Sequence, residues 1–359
     1  MRDTRRDQHK RLLSLALNGD VARLEDQLSA YLSESPGHHV GDVLHPKTGD
    51  GLLHVAARGG HLPCLQYLLG TAGCSVDQRN LEFKTALHEA AQTGHHEAVR
   101  LLLESGAEVD SLKRADWTPL MLAATKAGNV KAVEELLEAG ADPGAVNKDG
   151  WPALHLAVRT GDLEVVTCLA ARDPSQWLVL SNNGRSVLHT SCLAGLAPLL
   201  SSLLSLPAIQ SLLNTGDSCG SSPLMEAARG DHLDCVRLLL AQDQVQVEAR
   251  DTMGRTVSQV AAQAGALHTI RFLREERGVQ PGLDGSLHAA AREGQAKVLR
   301  YLLSLGTEVD TRSVSQPTSQ SVSIFPSGVL TNVDELFSFQ IFFKLQDSQT
   351  SQFPTFFRD

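Results

Sequence analysis

A short signature, Thr or Ser, then x-Leu-His-x-Ala-Ala and a glycine a few residues on, recurs along most of the 359-residue chain. Its anchor positions are His54, His88, Met121, His155, His189, Met225, Gln259 and His288, separated by 34, 33, 34, 34, 36, 34 and 29 residues. A period this short is too small for a domain and too regular for chance. One unit cannot bury its own apolar stripe, so the units must stack, and stability becomes a sum of repeat and interface contributions.

Each part of the repeat has a physical reason. Gly150, Gly184, Gly220 and Gly254 sit in loops before the signature, where a positive φ is cheap only for glycine. The small residues after each anchor let neighbouring inner helices approach closely. Gly94, Gly161, Gly230 and Gly294 end the first helix of their repeats. Val-Arg-Leu-Leu-Leu at residues 99–103 and again at 236–240 supplies the apolar stripe of the second helix. Residues 12–28 hold the helical-pair pattern without the Thr-Pro-Leu-His lead, as an N-terminal cap would. The expected organisation is a capping repeat over residues 1–44, repeats over 45–310, and a non-repeat, disordered tail over 311–359, rich in Ser, Gln and Phe.

The period and signature resemble the ankyrin repeat family. The resemblance covers residues 10–310 and implies an all-α solenoid of about nine helix-turn-helix repeats with β-hairpin-like loops, whose work is protein binding. Composition agrees with such a fold: 42% hydrophobic residues but only 4% aromatic suits a core of Leu and Ala. A net charge of -9 disfavours direct nucleic-acid binding and anionic membranes, although a local basic patch can override the overall field.

The matching histidines do not suggest a metal site. They lie one repeat apart, roughly 10 Å for packed helices, whereas zinc ligands converge at about 2 Å. A ring nitrogen bonding loop backbone is the expected role. The chain has no phosphate-binding loop and no His-Glu-x-x-His motif, and neither an enzyme nor a cofactor is expected. The six cysteines include no Cys-x-x-Cys pair and are read as reduced and buried, and residues 1–10 lack the apolar stretch of a secretory signal. The expectation is a chain monomeric by itself in cytoplasm and nucleus. Residues 190–215 carry no charge, but Pro198, Pro207 and six Ser and Gln residues interrupt them, so two buried helices rather than a membrane span are expected.

Equivalent positions in successive loops form rows across one face of a solenoid. One row reads Lys84, Trp117, Trp151, Arg185; the row three positions earlier reads Leu81, Arg114, Lys148, Asn182. With Lys113, and with Lys126 and Arg159 at inner-helix ends, these make a basic and aromatic patch with two exposed tryptophans on an acidic protein. Trp and Arg dominate interface energetics, so the patch is the candidate partner-binding surface.

Within the family, residues 109–121 (V-D-S-L-K-R-A-D-W-T-P-L-M) and 147–151 (N-K-D-G-W) resemble members that bind alanyl-tRNA synthetase. That resemblance implies a partner that limits serine mischarging, with lysine side chains accepting misactivated serine. Lys148 matches one acceptor. A second falls on Arg114, which remains protonated and cannot accept an acyl group, leaving the adjacent Lys113 as substitute. The third position holds Leu178. The same relatives continue with a further repeat where this chain runs into residues 311–359, which implies an altered C-terminal end.

Overall fold

The computed structural model describes residues 2–34, 37–279 and 285–305. The tail expected over residues 311–359 lies outside them. Every regular element among the described residues is a helix, apart from isolated bridges Lys113 to Trp117 and Val146 to Pro152 in two loops. The chain divides into two compact units, Met1–Val187 and Leu188–Asp359.

The first unit stacks five antiparallel helix pairs: α1 (Arg2–Asn18) with α2 (Val21–Ser33), α3 (Leu52–Gly59) with α4 (Leu62–Gly70), α5 (Ala86–Thr93) with α6 (His96–Glu104), α7 (Pro119–Ala124) with α8 (Val130–Glu138), and α9 (Ala153–Thr160) with α10 (Leu163–Arg172). Odd-numbered helices form an inner layer and even-numbered ones an outer layer, each packing on its sequence equivalents in neighbouring repeats. Ala56, Ala90, Ala123 and Ala157 are fully buried along the inner seam, and Leu65, Val99, Leu102 and Leu136 along the outer one. Each fully buried Leu or Val contributes about 1.5–3 kcal/mol.

The free carbonyls at inner-helix C-termini are satisfied from the next repeat. The Nε2–H groups of His61 and His95, at the starts of α4 and α6, donate to Leu17 O at 2.7 Å and Arg58 O at 3.1 Å. Asn129 Nδ2 does the same for Ala91 O at 2.9 Å.

The anchor residues work at the other end of the inner helices. His54 Nδ1 accepts from Gly51 N at 3.1 Å and its Nε2–H donates to Lys84 O at 2.8 Å. His88 repeats this with Thr85 N and Trp117 O at 3.1 and 3.2 Å. Burial pushes both imidazoles below the usual histidine value, His88 to about 4. Where the anchor is Met121, Thr118 Oγ1 caps the helix instead, accepting from Met121 N at 3.2 Å.

The second unit repeats the scheme with α11 (Val187–Leu193) and α12 (Ala197–Leu204), α13 (Pro223–Arg229) and α14 (Leu233–Leu240), α15 (Val257–Ala264) and α16 (Leu267–Glu275), and α17 (Ser286–Glu293) and α18 (Ala296–Ser304). The uncharged stretch at 190–215 contains the end of α11, all of α12, and a 3-10 turn Pro207–Leu212 where a second complete helix was expected. Pro207 starts that turn, and Ile209 and Leu212 bury beneath it. No helix among the described residues is long and apolar enough to cross a membrane.

Gly230 ends α13 as expected, but in right-handed backbone, and the next residue, Asp231, takes the positive φ, 54°. The Asp231 side chain explains the exchange. Its carboxylate accepts from Thr269 N at 2.9 Å and from His268 Nδ1 at 2.8 Å, tying α13 to the start of α16. The cysteines also divide: Cys64, Cys192 and Cys235 are buried and Cys74 and Cys168 half-buried. Cys219, however, is exposed at a hairpin, where its carbonyl accepts from Thr252 N at 2.9 Å.

Candidate functional site

The face expected to carry function is built by hairpins that precede α5, α7, α9 and α11. Each is closed by two backbone bonds, the outer of which runs from Asn80 N to Lys84 O at 2.9 Å, Lys113 N to Trp117 O at 3.0 Å, Asn147 N to Trp151 O at 3.2 Å, and Ser181 N to Arg185 O at 3.0 Å. In three of them the first side chain clamps the turn, Ser181 Oγ accepting from Arg185 N at 3.1 Å and an asparagine doing so in the other two. Asn80 Oδ1 accepts from Glu82 N and Lys84 N at 2.9 and 3.0 Å, and Asn147 Oδ1 from Asp149 N and Trp151 N at 3.0 and 2.9 Å.

Adjacent hairpins are then laced together at their tips. Leu81 N donates to Thr48 O, Arg114 N to Glu82 O, Lys148 N to Ala115 O and Asn182 N to Asp149 O, all at 3.0–3.1 Å. The row Leu81, Arg114, Lys148, Asn182 is therefore a backbone ladder, which fixes the side chains of the parallel row Lys84, Trp117, Trp151, Arg185.

Both tryptophans are half-buried rather than exposed, because cations cover their rings. Lys113 Nζ lies 5.3 Å from the Trp117 ring centroid and the Arg159 guanidinium 5.7 Å from that of Trp151. The edge of Trp151 also meets His155, with centroids 5.8 Å apart. Successive repeats thus present two cation-on-indole pairs on one face.

The neighbouring charges differ in whether they are already satisfied. Lys84 is bound to Glu89 at 3.2 Å and Gln92 at 2.7 Å. Glu89, only 4% exposed, also holds Arg58 at 2.9 Å, and Arg58 reaches buried Asp50 at 2.7 Å. Hydrogen bonds and charge from Arg58, with Lys84 beside Glu89 and Asn80 beside Asp50, outweigh burial and hold both carboxyls below their usual range. Lys113 is the contrasting case. It is half-buried and pairs with no carboxylate among the described residues. Burial, then the nearby Lys84 charge, lowers its pKa against the opposing pull of Glu82 and Glu89.

The remaining predicted residues scatter in role. Arg114 turns away from the tryptophans to stack on Phe83 at 6.0 Å and approach Glu82 at 3.6 Å. Lys126 donates to Thr93 O, closing α5 from the next repeat. Lys148 is exposed at the ladder, and Arg185 is half-buried at the end of the row. Trp177 packs inside a 3-10 turn, Pro174–Leu178, leaving Leu178 51% exposed beside it.

Two features were not read from the sequence. Leu81 and Phe83 are exposed at one tip, and Phe83 adopts φ 59° where later hairpins place glycine. In the Trp117 hairpin, Ala115 and Asp116 both adopt left-handed backbone, φ 64° and 61°, and Lys113 occupies the clamp position of Asn80 and Asn147. Missing glycine at a position otherwise regular in the repeat is the signal that could have revealed both.

Among the described residues, no group of three or more His, Cys, Asp or Glu side chains is placed to hold a metal ion. The anchor imidazoles of His54, His88, His155 and His189 are engaged with backbone, and the face offers stacked cations and aromatic edges, which suits recognition of a protein surface. Residues 53–147, 120–208 and 200–284 match the family described as ankyrin repeats (3 copies), and residues 286–314 match the single ankyrin repeat. Ankyrin repeats are protein-interaction scaffolds, and with matches extending over most of its length this chain belongs to the ankyrin repeat family.

Proposed function

We propose that this chain is a non-enzymatic partner of alanyl-tRNA synthetase, holding the synthetase's catalytic domain on the Trp117 and Trp151 face and limiting serine mischarging of tRNA(Ala). The supporting observation is the pair of cation-on-indole contacts in successive repeats. The loops that carry them resemble those of ankyrin repeat domain-containing protein 16. The working chain is a monomer in cytoplasm and nucleus, and it contacts the synthetase rather than the tRNA.

Lys113 and Lys148 are the candidate serine acceptors. A lysine amine attacks the carbonyl carbon of seryl adenylate, the new N–C bond replaces the C–O bond to phosphate, AMP leaves, and a proton is released. At pH 7 an unperturbed lysine is neutral in only about one molecule in a few thousand. The depressed pKa of Lys113 raises that fraction. Lys148 is exposed instead and would depend on placement by the complex. Each acceptor is consumed once, so there is no turnover.

The test is capture of purified synthetase by the full chain, followed by incubation with serine and ATP and peptide mass spectrometry. A complex with serine adducts on Lys113 or Lys148 supports the whole reading. A complex without adducts removes the acceptor role, and failure to form a complex leaves a scaffold for a different partner.

A further inference from the structure

The residue five positions before the anchor is left-handed in each hairpin from Gly49 to Gly254, with φ of 59–75°. Glycine fills that position at 49, 150, 184, 220 and 254, and the exceptions, Phe83 and Asp116, fall in successive hairpins. Aspartate visits this region several-fold more readily than most residues, whereas a bulky ring there is a conformational outlier. Little in the fold offsets the strain at Phe83. Its ring is 50% exposed, and its contact with the Arg114 guanidinium, at 6.0 Å from the centroid, lies at a wet site where such contacts are weak.

Backbone strain of this kind persists where function rather than stability favours the residue. Leu81, at the same tip, is 57% exposed. The tip is held from both neighbouring hairpins: Leu81 N donates to Thr48 O at 3.0 Å and Arg114 N to Glu82 O at 3.1 Å, while Phe83 N closes the turn on Asn80 O at 2.9 Å. Two apolar side chains are thus presented on backbone already ordered, which lowers the entropy cost of burying them against a partner. Glu82 and Arg114 approach at 3.6 Å, but their side chains are 56% and 59% exposed, so water screens the pair and the guanidinium keeps donors for another carboxylate. A lipid surface fits less well, because Glu82 lies between the two apolar side chains and the chain carries a net charge of -9.

We propose that the tip of the 80–84 hairpin is an apolar plug, with Phe83 and Leu81 entering a hydrophobic cleft on the protein partner and Arg114 meeting a carboxylate at the lip of that cleft. This rests on the reading of the tryptophan face as the surface that holds alanyl-tRNA synthetase, and it adds an anchor on a separate hairpin.

The experiment uses the full chain with Phe83→Asn and Phe83→Gly, both of which accept left-handed backbone and remove the ring. Each protein is titrated calorimetrically with purified alanyl-tRNA synthetase and unfolded in urea. The expected result is a Kd at least about tenfold weaker in both variants, with urea midpoints no lower than that of wild type. A ring kept for packing does the reverse. Lower midpoints in both variants, or a Kd within about twofold of wild type, would overturn the proposal. Sedimentation of wild type, but not of Phe83→Asn, with phosphatidylcholine–phosphatidylserine vesicles would assign the tip to a lipid surface and overturn it as well. Absence of synthetase binding to wild type removes the partner reading and this proposal together. Loss of binding in Trp117→Ala/Trp151→Ala while the Phe83 variants bind as wild type does removes this proposal alone.

Discussion

Acidification should loosen the inner-helix stack through His88, and the structure sets the size of the effect. His88 is fully buried, with Nδ1 accepting from Thr85 N and its Nε2–H donating to Trp117 O. Its pKa falls from 6.5 in the unfolded chain to about 4 in the fold, because burial opposes the charged ring. Between those values the unfolded chain binds more protons than the folded one. Stability is therefore full above about pH 6.5 and declines as the pH falls towards 4, by about 3 kcal/mol from this residue. Gln259 occupies the equivalent anchor position and accepts from Thr256 N at 2.9 Å without titrating, so His88→Gln is the matched control. Urea midpoints by far-UV circular dichroism, measured from pH 7.5 to 4.5, should fall more steeply for wild type than for the variant. His54, Asp50 and Glu89 are common to both proteins and drop out of the difference. Parallel pH profiles would refute the assigned burial and proton inventory of His88.

The other predictions concern the hairpins and their charges. Ala115→Gly relieves left-handed backbone at φ 64° and, after the entropy cost of glycine, should stabilise by about 0.5–1 kcal/mol in urea denaturation. Gly150→Ala does the opposite. With φ 75° and a new Cβ 2.7 Å from Asn182 N, it should cost about 2 kcal/mol and raise amide exchange in the 147–151 hairpin. Glu89→Ala removes one partner each from Arg58 and Lys84, which keep Asp50 and Gln92, and Arg58 is 37% exposed and stays partly hydrated, so the expected loss in urea denaturation is about 1 kcal/mol.

The stack was legible because its signals are local and periodic. An anchor, a small seam and a glycine recur at fixed offsets, and each acts within its own repeat or the next. What escaped were exchanges between positions. Asp231 rather than Gly230 takes the left-handed conformation because its carboxylate has Thr269 and His268 to bind, a contact made 38 and 37 residues away. Trp117 and Trp151 read as exposed in the sequence, yet Lys113 and Arg159 fold over them from positions set by the hairpin and by the last turn of α9. Row membership put Lys84 and Arg114 on neighbouring hairpins. It could not show that Glu89 neutralises one and that Phe83 and Glu82 draw the other aside.

The central claim is that Trp117 and Trp151 form the partner face. Calorimetric titration of alanyl-tRNA synthetase into wild type and into Trp117→Ala/Trp151→Ala tests it directly, with circular dichroism showing that the variant stays folded. Loss of at least about 3 kcal/mol of binding free energy, more than a hundredfold in Kd, is the predicted result for two central aromatic anchors. Unchanged affinity of a folded double variant would contradict the account.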